Sequence, residues 1–102
     1  MKDNKVKSAR EMFKASGIAK MTNTKVLKYG KIAEDIAYEI VETNSYTDEE
    51  VNKRLCILSF VMKKDDKYVY DSDKCVMGSF QKIMEFISQC KEEKKIIKKG
   101  EL

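Results

Sequence analysis

The sequence predicts a mainly α-helical structure that carries one small β-hairpin, an α+β arrangement within a single domain of residues 1–102. Two observations favour it. In most of the chain, apolar residues recur three and four positions apart, which is the spacing of one face of a helix. Residues 59–70, SFVMKKDDKYVY, instead contain two runs of strand-forming residues separated by charged, turn-favouring ones.

The first predicted helix extends from about Asp3 to Ser16. Gly17 follows as its stop signal, because glycine readily adopts the left-handed conformation that ends many helices. The apolar stripe of this helix consists of Val6, Ala9 and Phe13, and a basic stripe consists of Lys7, Arg10 and Lys14. The helix would therefore turn one face to a core and a cationic face to solvent or to a partner.

A second helix is predicted over residues 24–43, where apolar residues form a broad face. Gly30 weakens its first turns by about 1 kcal/mol relative to alanine, so this helix has an alternative start just before Gly30. A third helix begins at the segment TDEE, where Thr47 and Glu50 match a capping box, and it ends near Ile57.

The apolar run LCILSFVM, residues 55–62, has no polar side. A helix of this composition would have to be buried all round, which a domain of this size rarely permits. The sequence therefore predicts that the chain changes from helix to strand within this run. The expected hairpin covers about residues 58–71, with its turn at Asp65 and Asp66.

The last predicted helix covers about residues 74–95 and is capped by Ser72 or Asp73. Its apolar residues alternate by four and three positions, the spacing of a coiled-coil seam. The sequence predicts a homodimer through this seam, with plain packing on the parent domain as the alternative. The predicted interface residues are Val76, Phe80, Ile83 and Ile87.

The composition makes an enzyme or a metal protein improbable. The chain contains no histidine, and its three cysteines are scattered without a pair at metal-binding spacing. No glycine-rich phosphate loop is present, so we expect no cofactor. No apolar run approaches 18 residues, and the first residues do not match a secretion signal. We therefore expect a cytoplasmic protein without a membrane partner.

Charge is distributed unevenly along the chain. Residues 1–31 contain nine basic and two acidic residues, whereas residues 32–61 contain two basic and seven acidic ones. A basic leading segment suggests a polyanionic partner, although abundant surface lysine alone produces similar counts.

The predicted order of elements resembles the winged helix-turn-helix superfamily. The segment KIAEDIAYEIVETNSYTDEEVNKRLCIL resembles the helix-turn-helix, and SFVMKKDDKYVYDS resembles the wing. This resemblance implies binding to double-stranded DNA. In length, in its Lys- and Ile-rich composition and in the order of basic helix, wing and long final helix, the chain also resembles the TcpK family of relaxosome accessory proteins of clostridial conjugative plasmids. That resemblance implies binding at a plasmid origin of transfer, beside a relaxase and other relaxosome proteins.

The sequence departs from the winged-helix pattern at the element that normally enters the major groove. That element would begin with Asp48, Glu49 and Glu50, whose charges oppose approach to phosphates. We therefore expect the wing and the first helix to contact DNA, with lysines on phosphates and Arg10 near base edges. The predicted DNA-binding residues are Lys5, Lys7, Arg10, Lys14, Lys63, Lys64, Lys67 and Tyr68.

Two alternative functions stay open at this point. A winged-helix transcription repressor would share the same DNA-binding features. A small protein-binding inhibitor or assembly module of a phage or plasmid would use the methionine-bearing last helix as its interface, because methionine suits adaptable contact surfaces.

Overall fold

A five-stranded antiparallel sheet with one helix on each face forms the centre of the structure, a computed structural model that describes residues 2–17, 24–46 and 53–97. A 3-10 turn, Ser72–Lys74, separates the last two strands. The elements in chain order are α1 (Lys2–Ala15), β1 (Lys25–Ala33), β2 (Ile36–Tyr46), β3 (Arg54–Lys64), β4 (Lys67–Tyr70), β5 (Val76–Gly78) and α2 (Phe80–Glu93).

Strands β1, β2 and β3 are neighbours in the order of the sequence. The fourth position of the sheet is shared by two short strands that both pair with β3. Strand β4 lies along Val61–Lys64, and β5 lies along Cys56–Leu58. Strands β2 and β3 are both hydrogen-bonded on two sides and covered on both faces, so they are the most buried strands of the sheet.

Helix α1 covers one face of the sheet, here called the α1 face, and helix α2 covers the opposite α2 face. On the α1 face, Ala9, Met12 and Phe13 of the helix pack against Ala37 and Val61. The α2 face holds the larger core. Its most buried side chains are Tyr38, Ile40, Cys56, Leu58 and Phe60 of the sheet and Ile83, Phe86, Ile87 and Cys90 of α2.

The predicted mainly α fold is wrong, since the structure is mostly β. Residues 24–43, predicted to be a helix, form β1, a turn at Glu34 and Asp35, and most of β2. The segment IAYEIV of β2 is apolar at almost every position because successive side chains point to opposite faces and both faces are covered. Such a run matches a helical face and a doubly buried strand equally well. Here it is a strand because α1 packs on one of its faces and α2 on the other.

The predicted third helix falls partly outside the described residues, which exclude 47–52. From Arg54 onward the chain is strand β3, so the predicted helix end near Ile57 is wrong. The residues that resemble a helix-turn-helix belong, where the structure describes them, to β1, β2 and β3, apart from the β1–β2 turn and Lys53. The run LCILSFVM lies in β3 and has no polar side because a helix covers each face.

The predicted hairpin is confirmed. Strands β3 and β4 pair antiparallel, with Lys63 opposite Tyr68 and Lys64 opposite Lys67. The two turn residues have positive φ values, 50° at Asp65 and 65° at Asp66. Positive φ at both central positions is the mark of the two-residue turn that suits the twist of paired strands.

The two terminal helices agree with the sequence in position but not in all bounds. Helix α1 covers the predicted residues, and Gly17 after it has a φ of 74°, as a helix-ending glycine requires. Helix α2 begins at Phe80, not Lys74, because Val76–Gly78 pair with β3 and Ser79 caps the helix by accepting from the amide of Lys82. Neither helix is long and apolar enough to cross a membrane.

Candidate nucleic-acid interface

Helix α1 and strand β1 have a larger net positive charge than the whole chain. Together they contain eight basic and two acidic residues, a net charge of +6, whereas the whole chain has +4. We call their six lysine and arginine side chains with described positions the basic corner. These residues are Lys7, Arg10 and Lys14 of α1 and Lys25, Lys28 and Lys31 of β1.

The aromatic ring of Tyr29 joins the two elements of the basic corner. The Arg10 guanidinium carbon lies 5.7 Å from the centroid of the Tyr29 ring, within cation–π distance. Phe13, on the next turn of α1, meets the same ring edge-on at 5.9 Å between centroids. These contacts turn the basic flank of the helix towards β1, the edge strand among the described parts of the sheet.

Glu39 of β2 fixes Tyr29 from the sheet side. The two residues are directly opposite each other in the β1–β2 pairing, and the Tyr29 hydroxyl donates a hydrogen bond to the Glu39 carboxylate. Burial, this hydrogen bond and the negative charge of Glu39 raise the pKa of Tyr29 to about 12, although Arg10 acts in the opposite direction. Tyr29 is therefore a neutral donor at physiological pH.

The basic corner surrounds the edge of the sheet. Lys31 lies opposite Ala37 and so belongs to the α1 face, whereas Lys28 lies opposite Ile40 on the α2 face. Lys25 is opposite Glu42, which partly offsets its charge. Lys5 belongs to α1, and its side chain is outside the described ones.

The hairpin lysines are adjacent, as predicted, but they point to two faces. Lys63 and Tyr68 face each other on the α1 face, where the Lys63 Nζ lies 6.0 Å from the Tyr68 ring centroid. Lys64 and Lys67 form the next cross-strand pair and therefore project to the α2 face.

Acidic residues surround the hairpin tip. The β1–β2 turn lies at the same end of the sheet, where the Lys63 amide donates to the Asp35 carbonyl at 2.9 Å. The three hairpin lysines thus share this end with four carboxylates, those of Glu34, Asp35, Asp65 and Asp66. The tip is a weaker anion-binding surface than the sequence predicts, because the β1–β2 turn brings Glu34 and Asp35 beside the hairpin lysines.

The two basic surfaces are well separated on the α1 face. Tyr29 and Tyr68 lie on strands three positions apart and are displaced by four residues along the strands. Strand spacing and rise then place their Cα atoms roughly 20 Å apart. The Arg10–Tyr29 contact and the Lys63–Tyr68 contact are therefore two separate places on the α1 face.

The predicted dimer residues fall into two groups. Ile83 and Ile87 are 0% and 1% exposed and pack in the core of their own chain, so the seam serves intramolecular packing as far as these side chains are concerned. Val76 lies in β5 and is half-buried, whereas Phe80 is 41% exposed. Of the predicted interface, Phe80 is the side chain most open to a second copy.

The sequence interpretation missed Tyr29, Lys31 and Glu39 as parts of the site. In a helix these residues would point in different directions, whereas antiparallel pairing brings Tyr29 and Glu39 together. The signal that could have found them is the strand-favouring pattern KVLKYGKI, with lysines around a central tyrosine. Within residues 2–17, 24–46 and 53–97, no group of three or more acidic or cysteine side chains is placed to hold a metal ion.

No family model, curated protein or solved structure matches this chain.

Proposed function

We propose that the protein binds double-stranded DNA through the basic corner, with the β3–β4 hairpin as a second contact. The observation that supports this most directly is the net charge of +6 on α1 and β1, two elements that meet where Arg10 and Phe13 contact Tyr29. Lysines around an edge strand supply phosphate contacts and release counterions from DNA.

The basic corner is favoured over the hairpin as the main contact on electrostatic grounds. In described positions it has six cations against three carboxylates, those of Glu11, Glu39 and Glu42, while the hairpin end has three lysines against four carboxylates. Six phosphate contacts correspond to a slope of about −5 in a plot of log affinity against log salt concentration. Fewer contacts give a proportionally shallower slope.

The experiment is a salt titration of binding to a random-sequence duplex of about 20 base pairs, followed by fluorescence anisotropy. The corner variant replaces three exposed lysines by glutamine, Lys7, Lys14 and Lys25, and each lost contact reduces the slope by about 1. A hairpin variant replaces Lys63, Lys64 and Lys67 in the same way and is expected to reduce it less. A control replaces two lysines elsewhere, Lys82 in the first turn of α2 and Lys95 after its end. This control is expected to leave the slope unchanged.

The two variants show which basic surface is the main DNA contact, and the wild-type protein tests DNA binding itself. If the hairpin variant loses the salt dependence and the corner variant keeps it, the hairpin is the main contact and the basic corner is not. If the wild-type protein binds duplex DNA without salt dependence, or does not bind it, the DNA-binding proposal is wrong.

A role as a relaxosome component at a plasmid origin of transfer follows from the resemblance to the TcpK family, and it is proposed on that ground together with the basic corner. It implies a relaxase and other relaxosome proteins as partners. Footprinting on the DNA that flanks the gene of this protein tests it: protection next to a nick site supports the relaxosome role, and protection over a promoter supports a repressor.

A protein partner or a second copy of the chain is the second candidate, favoured by two exposed apolar side chains. Met77 of β5 is 64% exposed and Phe80, at the start of α2, is 41% exposed. They lie three residues apart in sequence at the β5 edge of the sheet. We propose that a homodimer uses this surface. Sedimentation of the wild-type protein and of a Met77→Ser, Phe80→Ser variant tests the proposal. If the wild-type protein is a dimer and the variant has the same mass, this surface is not the interface.

A further inference from the structure

Among the six side chains of the basic corner, that of Arg10 is the one that lies over an aromatic ring. Its guanidinium lies over the Tyr29 ring, and that ring is fixed by the edge of Phe13 and by the hydrogen bond to Glu39. Glu39 is half-buried in β2, so the residue that holds the Tyr29 ring under Arg10 is itself held by the sheet. Lys31 is held by one hydrogen bond from its Nζ to the Glu34 carbonyl at 3.1 Å, and its ammonium lacks the planar fork of a guanidinium.

The Arg10 guanidinium makes a cation–π contact at 5.7 Å from the ring centroid, and an arginine in such a contact keeps its planar set of N–H donors. In the part of the chain that the structure describes, no carboxylate forms an ion pair with Arg10. Arg10 is also exposed. Its two-pronged donor edge is thus available to a planar pair of acceptors, which a duplex presents as O6 and N7 of guanine in the major groove.

Two lysines lie near Arg10 on the same helix. Lys7 and Lys14 lie one turn before and one turn after Arg10, on the same flank of α1, about 10 Å apart along the helix axis. The major groove of B-form DNA is about 12 Å wide and admits an α-helix. A helix lies along the groove, so Lys7 and Lys14 would follow the phosphates of the groove wall, and Arg10, about 60° around the helix from Lys7, would turn to the bases.

We infer that Arg10 reads a guanine in the major groove and that Tyr29, held by Glu39, is the positioning residue for its guanidinium. This inference rests on the proposed DNA-binding function. Lysines of the basic corner then supply affinity for any duplex, and the Arg10–Tyr29 pair supplies preference among sequences. A bidentate arginine–guanine contact corresponds to a discrimination of about 5- to 150-fold against the wrong base.

The test begins by selecting duplexes from a random pool with the wild-type protein. Binding of Arg10→Lys, Tyr29→Phe and Tyr29→Leu variants is then measured on a selected duplex and on a random one. Arg10→Lys keeps the charge and removes the fork, so we expect about tenfold weaker binding to the selected duplex and a change of less than about twofold on the random one. Lys14→Gln is the matched variant, expected to weaken both duplexes by the same factor.

The two tyrosine variants separate positioning from a general structural role. Tyr29→Leu removes the ring and is expected to reduce the sequence preference about as much as Arg10→Lys does. Tyr29→Phe keeps the ring and loses only the bond to Glu39, so we expect a smaller loss. Circular dichroism and a thermal melt establish that each variant is folded, and a Tyr29 variant that melts early is measured well below its transition.

A modified base completes the test. Replacing the selected guanine by 7-deazaguanine removes the N7 acceptor, which should weaken wild-type binding and leave Arg10→Lys binding unchanged. Selection of an A·T-rich site without guanine, equal losses of Arg10→Lys on both duplexes, or no effect of 7-deazaguanine would overturn the inference while leaving DNA binding intact. Wild-type protein that binds neither duplex would instead refute the proposed function itself.

Discussion

Replacing Gly30 by alanine gives opposite results for the helix that the sequence predicts and the strand that the structure contains. In a helix over residues 24–43, the change would stabilise the protein by about 1 kcal/mol, because alanine is the better helix former. In strand β1, Gly30 lies opposite Tyr38, whose ring covers it. An added Cβ would lie 2.7 Å from Cε2 of Tyr38 and closer still to the ring Cζ and the hydroxyl oxygen.

The Tyr38 ring has little freedom to move away, since it is 1% exposed and belongs to the core under α2. Overpacking of this kind typically costs about 1–3 kcal/mol. For a domain of about 100 residues this lowers the melting temperature by roughly 5–20 °C. Urea unfolding followed by circular dichroism measures the free energy of unfolding directly.

Gly78→Ala is the matched control, because its added Cβ would meet the nearest atom, the Lys82 Cβ, at 4.0 Å, an ordinary contact. A double variant that combines Gly30→Ala with Tyr38→Leu relieves the clash, so its loss should be smaller than the sum of the two single losses. A Gly30→Ala protein more stable than the wild type would refute the β1–β2 pairing and restore the predicted helix.

Three other expectations follow from the core and the hairpin turn. Asp66→Gly should raise the free energy of unfolding by about 0.5 kcal/mol, because glycine suits a φ of 65° in this turn, and a lower urea midpoint would contradict the turn geometry. Of the three thiols, Cys75 should react first with an aromatic disulfide reagent in the native protein, since the other two are buried and burial raises their pKa; equal reaction of all three would contradict the packing of α2. Ile87→Asp should unfold the chain, whereas Phe80→Ser should keep the wild-type circular dichroism spectrum; a folded Ile87→Asp protein would mean that α2 does not cover the sheet.

Elements set by short-range signals were predictable from the sequence. Helix α1 combines an apolar stripe with a following glycine, and both features act within a few residues. The β3–β4 hairpin is similarly local, because Asp65 and Asp66 tolerate positive φ between two strand-forming runs. Helix α2 was found, but its start was placed six residues early, since nothing local reveals that Val76–Gly78 pair with β3.

The long strands were not predictable in the same way. Residues 36–41 and 55–62 are apolar at nearly every position, and such runs carry neither the period of a helix nor that of a half-exposed strand. Their conformation depends on partners distant in the chain. Each strand is buried on both faces only because α1 and α2 lie on opposite sides of the sheet.

In the candidate site, too, the features that depend on near neighbours were predictable and those that depend on tertiary contacts were not. The basic stripe of α1 follows from helical spacing, so Lys7, Arg10 and Lys14 were identified from the sequence. The meeting of Arg10 with Tyr29, and of Tyr29 with Glu39, depends on the register of β1 with β2 and on the docking of α1. The hairpin lysines were also found, but the carboxylates that share their end of the sheet were not, because a turn had been taken for a helix.

The amino-acid sequence alone determined the excess of positive charge in the first third of the chain, the two terminal helices and the hairpin turn, because each of these depends on residue type and near neighbours. Only the tertiary structure decided that the middle of the chain is a sheet with two covered faces, and that Tyr29 joins the cations of α1 to those of β1. Pairing between distant segments and burial on two faces are properties of the packed chain, and a local pattern of apolar residues does not specify them.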